Sequence, residues 1–301
     1  MLDDMTSAPA TSRAARLCRS WLFVAGADRD ALERAADSGA DALIQELEDF
    51  TPPSLRPQAR ALAADTFAHW RRHGRLVAVR INPLAGDGAQ DLAEVMRAAP
   101  DVVALPKVAE PDQVRELDRE VTRLERSFGL AAGSTRLMPN IELARGLIQT
   151  YAIARSSERV AACLLASEDL AADLCAERGR DAIELAYARQ RFLVECVAAG
   201  VPAVDCPYTF RDAEGLVADA RWARRLGYRS KSCVESAHAA LVNDVLTPSN
   251  DEVAHARRIV DAFDAARARG EPRAEVDGLL VELPTYLNAQ RLLVRSRELS
   301  G

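Results

Sequence analysis

The sequence feature that most constrains the fold is a regular alternation of short apolar runs with amphipathic stretches, beginning near residue 21. Between the apolar runs, hydrophobic residues recur at helical spacing, which predicts helices over stretches such as 28–38, 111–128, 144–156, 183–199 and 213–226. Glycines follow these stretches where a left-handed helix C-cap is needed, at Gly39, Gly74, Gly133, Gly200 and Gly227. Eight apolar runs are predicted strands: 21–26, 42–48, 77–82, 102–108, 135–142, 160–167, 201–208 and 228–234. Eight strand-then-helix units predict an α/β fold, a (β/α)8 TIM barrel with a C-terminal helical extension, and an open doubly wound sheet is the alternative.

The barrel accounts for most of the 301 residues. Residues 1–18 precede it and are predicted to be a flexible N-terminal tail, and residues 19–269 form the barrel. Residues 270–301 are predicted to be a lid or an oligomerisation segment. The leucines of this last segment need a surface to cover them, which favours packing on the barrel or on a neighbouring subunit.

Charge and composition exclude several classes of protein. The chain has 45 Asp and Glu against 39 Lys and Arg, a formal charge of -6, so no positive field is available for nucleic acid or an anionic membrane. No apolar run approaches a membrane span, and Asp3 and Asp4 stand where a signal peptide needs positive charge. We expect a cytoplasmic protein with reduced, mostly buried cysteines and a small-molecule partner.

Polar residues at the ends of the predicted strands converge on one mouth of the barrel, where TIM-barrel chemistry takes place. Carboxylates that share such a mouth repel each other unless a cation or protons compensate, and oxygen ligands without histidine suit Mg²⁺. Glu142 and Asp169 end neighbouring strands and would share one cation, whereas in the alternative each only stabilises the N-terminus of the next helix. The other polar residues at the strand ends include Glu48, Asp49, Arg80, Asn82, Lys107, Glu168, Asp205, Tyr208 and Lys231.

Several short motifs, taken in order, resemble the HpcH/HpaI aldolase and citrate lyase beta subunit family. The resemblance runs from Arg19 to about Arg291. Its motifs are Arg19-Ser-Trp-Leu-Phe-Val-Ala-Gly26, Ser38-Gly-Ala-Asp-Ala-Leu-Ile-Gln-Glu-Leu-Glu-Asp49, Val79-Arg-Ile-Asn-Pro83, Leu105-Pro-Lys-Val108, Ile141-Glu142 and Ser167-Glu-Asp-Leu170.

This resemblance implies a trimeric or hexameric TIM barrel that uses Mg²⁺, or Mn²⁺ in its place, to cleave or form a carbon–carbon bond next to a 2-oxo acid. By position, Glu142 and Asp169 match the metal ligands of the family. Arg80 matches its substrate-binding arginine, and Glu48 and Asp49 match an acidic pair near the metal-bound water.

The acyl-CoA lyase branch of the family carries a catalytic aspartate in a C-terminal motif. The similar segment here, Gly278-Leu-Leu-Val-Glu-Leu-Pro284, has Glu282 at that place, which keeps the carboxylate and lengthens it by one methylene. The chain also departs from the family at Ala25, where proline is usual, and at Glu46, where aspartate is usual. A Lys-x-x-Ile-His-Pro segment of the family is here Lys231-Ser-Cys-Val-Glu-Ser236, without the His-Pro pair.

The function implied is a Mg²⁺-dependent lyase that splits a carboxylated 3-hydroxyacyl thioester of citramalyl, malyl or citryl type into a 2-oxo acid and acetyl-CoA. Arg80 would stabilise the leaving enolate, and Glu282, from its own or a neighbouring subunit, would exchange a proton with it. Lys107 would contribute to substrate binding and pair with the acidic cluster; a Schiff base on Lys107 or Lys231 is the competing mechanism. The alternatives are an aldolase acting on CoA-free 2-oxo acids, which the missing His-Pro favours, and a non-catalytic relative that binds metal and 2-oxo acid.

Overall fold

The computed structural model describes residues 14–300 and contains two compact units that divide between Asp244 and Val245. Most of the predicted N-terminal tail, residues 1–13, lies outside the described residues, and Ala15–Leu17 form one turn of 3-10 helix. The functional division predicted at residues 269 and 270 stays a prediction.

Eight parallel strands form the sheet of the first unit, as the apolar runs predict. All eight end before the predicted run does, because the last residues of each run belong to the loops at the barrel mouth. The strands are β1 (Ser20–Ala25), β2 (Ala42–Glu46), β3 (Leu76–Arg80), β4 (Val102–Leu105), β5 (Arg136–Ile141), β6 (Cys163–Leu165), β7 (Ala203–Val204) and β8 (Lys231–Cys233).

The sheet closes on itself, which confirms the TIM barrel and excludes the open doubly wound alternative. Its order is β7-β6-β5-β4-β3-β2-β1-β8, so the first strand pairs with the last. Between β7 and β8 the closure consists of one parallel bridge, Asp205 with Lys231. There the Asp205 amide donates to the Ser230 carbonyl and the Ser232 amide donates to the Asp205 carbonyl, both at 2.9 Å.

Helices follow the strands, and two of them, α4 and α9 below, coincide with the predicted stretches 111–128 and 213–226. The helices of the barrel are α1 (Arg29–Ala35), α2 (Arg56–Arg72), α3 (Ala89–Val95), α4 (Pro111–Phe128), α5 (Ala144–Leu147), α6 (Thr150–Ala154), α7 (Glu168–Asp173), α8 (Ala186–Ala199), α9 (Ala213–Leu226) and α10 (Ser236–Leu246).

Two local predictions about helices are corrected. The single helix predicted over 144–156 is broken into α5 and α6, because the Thr150 hydroxyl lies 3.2 Å from the Gly146 carbonyl and 3.0 Å from the Leu147 carbonyl and competes for them at the break. The C-cap of α4 is Gly129, with φ 67°, rather than Gly133. Gly133 also has positive φ, and its amide donates to the buried Glu125 carboxylate in the turn that leads to β5.

The interior of the barrel is filled by inward-facing apolar side chains. Alanines of β2, β3 and β4 share this interior with larger side chains, among them those of β1, β5 and β6. The buried set includes Trp21, Phe23, Ala42, Ile44, Ala78, Ala104, Met138, Leu164 and Val204. This packed interior leaves only the mouth at the carboxyl ends of the strands for chemistry.

The second unit consists of α11 (Asn250–Ala268), a hairpin of β9 (Ala274–Val276) and β10 (Leu279–Val281), and α12 (Leu283–Ser300). Phe263 and Val281 are buried in its small core. The hairpin of β9 and β10 is not among the elements predicted from the sequence. Its signal is Asp277-Gly278, where both residues have positive φ, as a tight two-residue turn requires.

Two predictions about composition can be compared with the structure. None of the six cysteines, all of which lie within residues 14–300, forms a disulfide, and five are buried while Cys175 is exposed, in line with the expectation that they are mostly buried. Among residues 14–300, no helix is both long and apolar enough to cross a membrane.

Candidate active site

The predicted site residues of the barrel meet at the carboxyl ends of consecutive strands. Arg80 is the last residue of β3, Lys107 and Glu142 follow β4 and β5, and Asp169 lies in the first turn of α7 after β6. Because neighbouring parallel strands end at the same rim, this order brings their side chains together.

Arg80 lies at the centre of the cluster and is buried. Its guanidinium donates from Nε to Glu46 Oε1 at 2.8 Å and lies 3.4 Å from Glu48 and 3.5 Å from Glu142. Its charge also lies over the rings of Phe23 and Phe50, at 5.0 and 5.9 Å from their centroids. Burial lowers the pKa of Arg80, but the surrounding carboxylates outweigh it, so the pKa is raised and the positive charge is permanent.

Glu46 is the functional residue that the sequence analysis missed, since it appears there only as a departure from the family pattern. It is fully buried at the end of β2, and its carboxylate accepts from Arg80, from the Glu48 amide at 2.7 Å and from the Phe50 amide at 2.6 Å. Glu46 therefore holds both the arginine and the loop of the acidic pair. The available signal is the charged residue itself, at the end of a strand that is apolar apart from Gln45.

Lys107 has a left-handed backbone, with φ 51°, which directs its ammonium group toward three carboxylates. Its Nζ lies 2.6 Å from Glu48, 3.5 Å from Asp49 and 4.0 Å from Asp169. Burial lowers the pKa of Lys107, but these carboxylates raise it to about 12 overall. The lysine is an ion-pair partner of the acidic cluster, as predicted, and is protonated at neutral pH, which disfavours it as a nucleophile.

Glu142 is a buried carboxylate with neither oxygen hydrogen-bonded. Burial raises its pKa to about 8, and the Glu48 and Asp169 carboxylates add to the effect against the opposing charge of Arg80. An uncompensated buried carboxylate is costly unless a ligand pairs with it. Burial likewise raises the pKa of Glu48 despite Arg80 and Lys107.

The cluster carries more negative than positive charge. Arg80 and Lys107 are surrounded by five carboxylates, those of Glu46, Glu48, Asp49, Glu142 and Asp169. With every group ionised, the formal excess is three negative charges. A divalent cation would compensate most of this excess, and the bare oxygens of Glu142 are donors available to it.

The donor set suits Mg²⁺ better than a metal that needs a complete protein cage. Within the described part of the chain, no three or more His, Cys, Asp or Glu side chains are arranged to hold a metal ion among them. Mg²⁺ is commonly bound through one or two carboxylates, with water and substrate oxygens completing its six ligands. The residues present therefore fit a magnesium ion.

A cavity of about 480 Å³ opens beside this cluster. Its apolar wall includes Phe23, Phe50, Leu164, Ala166, Pro207 and Val234. Its charged and polar lining consists of Asp49, Arg80, Ser167, Glu168, Asp169 and Thr209. This volume is in the range of small-molecule sites, so the expected small-molecule partner has a cavity to enter.

Lys231 belongs to a separate buried cluster. Its Nζ lies 2.8 Å from Asp205 and 2.6 Å from Asp219, and Arg189 pairs with the same two carboxylates. Nearby, burial raises the pKa of Cys206 to about 12, with Asp205 adding to the effect, so this thiol is not a nucleophile, as expected.

Glu282 lies in the second unit, just before α12, and its carboxylate is 2.9 Å from Arg273 Nε. Its side chain is 48% exposed. Its predicted catalytic role stays a prediction.

Comparison with known proteins identifies the family. The family model described as HpcH/HpaI aldolase/citrate lyase matches residues 19–236, which cover the eight strands and the carboxylate cluster. The chain belongs to the HpcH/HpaI aldolase/citrate lyase family. This confirms the family predicted from the short motifs.

Members of the HpcH/HpaI family match almost the whole chain. The citrate lyase subunit beta of Escherichia coli K12 is 33% identical over 99% of this chain and 99% of its own length. The L-malyl-CoA/beta-methylmalyl-CoA lyase of Cereibacter sphaeroides is 32% identical over 95% of this chain and 96% of its own. The crystal structure of CitE from Mycobacterium tuberculosis with magnesium, acetoacetate and coenzyme A has a TM-score of 0.74 at 27% identity. It covers 92% of this chain and 97% of its own.

Proposed function

We propose that this chain is a Mg²⁺-dependent carbon–carbon lyase that cleaves a carboxylated 3-hydroxyacyl thioester into a 2-oxo acid and an acetyl thioester, with CoA as the carrier. The observation that carries the proposal is the buried carboxylate of Glu142, which has no hydrogen bond among the described residues. It lies beside Arg80 and Asp169 in a cluster with an excess of negative charge. Relatives named as citrate lyase beta subunits and a malyl-CoA lyase support the same chemistry.

Glu142 and Asp169 would hold the metal ion, with water and substrate oxygens as its other ligands. When bound, Mg²⁺ supplies Lewis-acid polarisation of the substrate oxygens and offsets the negative charge of the cluster. Within the part of the chain that the structure describes, no competing hydrogen bond occupies the carboxylate that Glu142 contributes.

In the cleavage direction, the bond breaks between the hydroxyl-bearing carbon and the carbon next to the thioester. The hydroxyl gives up its proton, its carbon becomes the carbonyl of the 2-oxo acid, and the electron pair passes to the thioester as an enolate. The enolate takes up a proton and leaves as the acetyl thioester. Atoms and charge balance without an external oxidant or reductant.

Different side chains would assist the separate steps of this cleavage. Arg80, permanently charged and fixed by Glu46, would face the enolate and stabilise its charge. Glu48 and Asp49 would receive the hydroxyl proton, and the raised pKa of Glu48 suits that task. Lys107 would remain an ammonium and help to hold the substrate carboxylate. Glu282 would supply the proton to the enolate.

The proposal also covers the oligomeric state of the enzyme, its location in the cell and the role of its C-terminal segment. We propose a homotrimer or hexamer in the cytoplasm, with residues 270–301 as the lid or contact segment, and Glu282 acting in its own or a neighbouring subunit. Six cysteines that form no disulfide fit a reducing compartment. Exposed leucines in the second unit, Leu280 and Leu283 among them, fit a segment that packs on another surface.

The aldolase alternative is not favoured. Its support is the missing His-Pro in the segment after Lys231, whereas the relatives that match the full length include a lyase named for its CoA thioesters. Retention of the whole acidic cluster with Arg80 also disfavours a non-catalytic relative.

The test is cleavage of malyl-CoA, citramalyl-CoA and citryl-CoA, measured by release of acetyl-CoA. At least one thioester should be cleaved, activity should be lost with EDTA, and Mg²⁺ or Mn²⁺ should restore it. Failure to cleave any of the three with Mg²⁺ present, or full activity in EDTA, would overturn the proposal.

A further inference from the structure

The charges of the cavity restrict the substrate beyond its reaction class. Among residues 14–300, Arg80 is the one cationic side chain that lines the cavity, against the carboxylates of Asp49, Glu168 and Asp169. Arg80 already pairs with carboxylates of the cluster, and so does Lys107 beside the cavity. With Mg²⁺ bound, the excess of three negative charges falls to one, and the first substrate carboxylate increases it again.

The neutral donors of the lining are also engaged. The Thr209 hydroxyl donates to Glu168 at 2.8 Å, and the Ser167 hydroxyl lies 3.4 Å from the same oxygen. Each hydroxyl has one proton to donate. A second substrate carboxylate would therefore find neither a free cation nor a free hydroxyl donor.

Glu168 is held in its place on the wall. Besides the two hydroxyls, Arg178 donates from Nε to the same Glu168 oxygen at 3.1 Å and also pairs with Glu184. The rest of the wall is aliphatic or aromatic, with Leu164 and Val234 among its members. Such a wall accepts hydrogen or a methyl group and disfavours an ionised group.

We infer that the substrate carries one carboxylate, and that the carbon bearing its hydroxyl carries hydrogen or a small alkyl group rather than a carboxymethyl group. The inference rests on the proposed function and selects within it: malyl or citramalyl thioesters are substrates, and citryl thioesters are not. The 2-oxo acid released is a monocarboxylate, although citrate lyase beta subunits are among the relatives of this chain.

The experiment compares binding of pyruvate and oxaloacetate to the Mg²⁺-loaded protein by calorimetry. Oxaloacetate is dissolved immediately before use, because it decarboxylates to pyruvate. Like-charge repulsion at a few ångströms predicts at least about tenfold tighter binding of pyruvate. Equal or tighter binding of oxaloacetate, or cleavage of citryl-CoA at the rate of malyl-CoA, would overturn the inference.

A matched pair of variants isolates the wall charge. Glu168→Gln should reduce the preference for pyruvate severalfold, because it removes one negative charge from the lining. Glu184→Gln removes the other carboxylate that pairs with Arg178 but not one that lines the cavity, so the preference should not change. An unchanged preference in Glu168→Gln, or an equal loss in both variants, would count against the inference.

These experiments distinguish a failure of the substrate restriction from a failure of the proposed function. If oxaloacetate binds as well as pyruvate while a thioester is still cleaved, the substrate restriction is wrong and the lyase stands. If no thioester is cleaved and neither 2-oxo acid binds with Mg²⁺, the proposed function fails, and the restriction fails with it.

Discussion

At the residue scale, the site depends on one carboxylate that the protein leaves without a hydrogen bond. Glu142 is buried next to Arg80, yet neither of its oxygens has a hydrogen-bonding partner among residues 14–300. A folded chain retains such a group at a cost of about 1–3 kcal/mol, which a ligand can recover. The burial that makes Glu142 costly also makes it a strong ligand for a cation.

The ligand assignment gives a direct prediction. Glu142→Gln and Asp169→Asn should each abolish Mg²⁺ binding while the chain stays folded, because an amide of the same size replaces a charged ligand. Calorimetric titration with Mg²⁺ measures the loss, and circular dichroism checks the fold. Glu120→Gln, an exposed carboxylate that pairs with Arg123 on α4, is the control and should bind Mg²⁺ normally. Normal affinity in both site variants would show that the metal lies elsewhere.

The two lysines give a second prediction. Borohydride added with pyruvate should leave no adduct on Lys107 or Lys231, because both are protonated and ion-paired and Lys231 is also buried. Mass spectrometry of the digested protein measures this. A covalent mass increase on either peptide would transfer the mechanism to Schiff-base chemistry.

At the element scale, the junction between β7 and β8, where the barrel closes, is stabilised by buried ion pairs. β7 and β8 share a single bridge, and behind it Arg189 and Lys231 interlock with Asp205 and Asp219. Two cations and two carboxylates balance in this cluster, so no ligand is needed there. The cluster joins α8 and α9 to β8 and to the residue that directly follows β7.

The ion pairs at the junction of β7 and β8 should make the free energy of unfolding depend on pH in the acid range. Burial raises the pKa of Asp219, but Lys231 and Arg189 outweigh it and lower the pKa from 3.8 to about 2. Because the folded pKa lies below the unfolded one, the stabilisation is complete above pH 4 and is lost as pH falls toward 2. It amounts to about 2 kcal/mol.

Urea unfolding at several pH values tests the prediction. Asp219→Asn should be less stable at pH 7 and should lose less stability between pH 4 and 2 than the parent does. Asp112→Asn, which removes an exposed carboxylate paired with Arg115, is the control and should follow the parent curve. Parallel curves for Asp219→Asn and the parent would rule out this contribution.

At the scale of the whole molecule, the chain consists of two compact units, and the proposed residues are divided between them. The metal ligands and Arg80 belong to the barrel, and Glu282 belongs to the unit that starts at Val245. In our proposal, binding therefore belongs to the first unit, and the proton transfer requires the second.

Glu282→Ala should lower kcat by about 10²–10⁴-fold and leave Mg²⁺ and pyruvate binding unchanged, as expected for a general acid. Glu282→Asp should recover part of the rate. Glu275→Ala, an exposed carboxylate on β9 of the same unit, is the matched control and should keep the parent rate. A parent-like kcat in Glu282→Ala would remove this residue from the mechanism.

Mixing variants locates the subunit in which Glu282 acts. If it serves a neighbouring barrel, Arg80→Ala and Glu282→Ala, each inactive alone, should regain activity when refolded together, because mixed oligomers contain an intact pair. No recovery, with mixed oligomers verified by native mass spectrometry, would place Glu282 in its own subunit's reaction.

The sequence by itself predicts the barrel and most of its site. Eight apolar runs with glycine-capped helices between them predict a parallel sheet, because such strands need burial on both faces. Closure of the sheet into a barrel rather than an open doubly wound sheet is shown by the pairing of β1 with β8. Parallel strands in turn bring Arg80, Lys107, Glu142 and Asp169 to one rim without any knowledge of side-chain positions. The family motifs agree with this arrangement.

Only the tertiary structure decides which polar residues are satisfied by the protein and which are left for a ligand. Glu46 and Glu142 are both buried acids at strand ends, but Glu46 accepts three hydrogen bonds and Glu142 none. The structure also distinguishes the two lysines: Lys107 pairs with the acidic cluster, and Lys231 pairs with Asp205 at the junction of β7 and β8. Periodicity specifies the face and the strand end of a residue, whereas hydrogen-bond partners depend on distances between segments far apart in the chain, which no local pattern encodes.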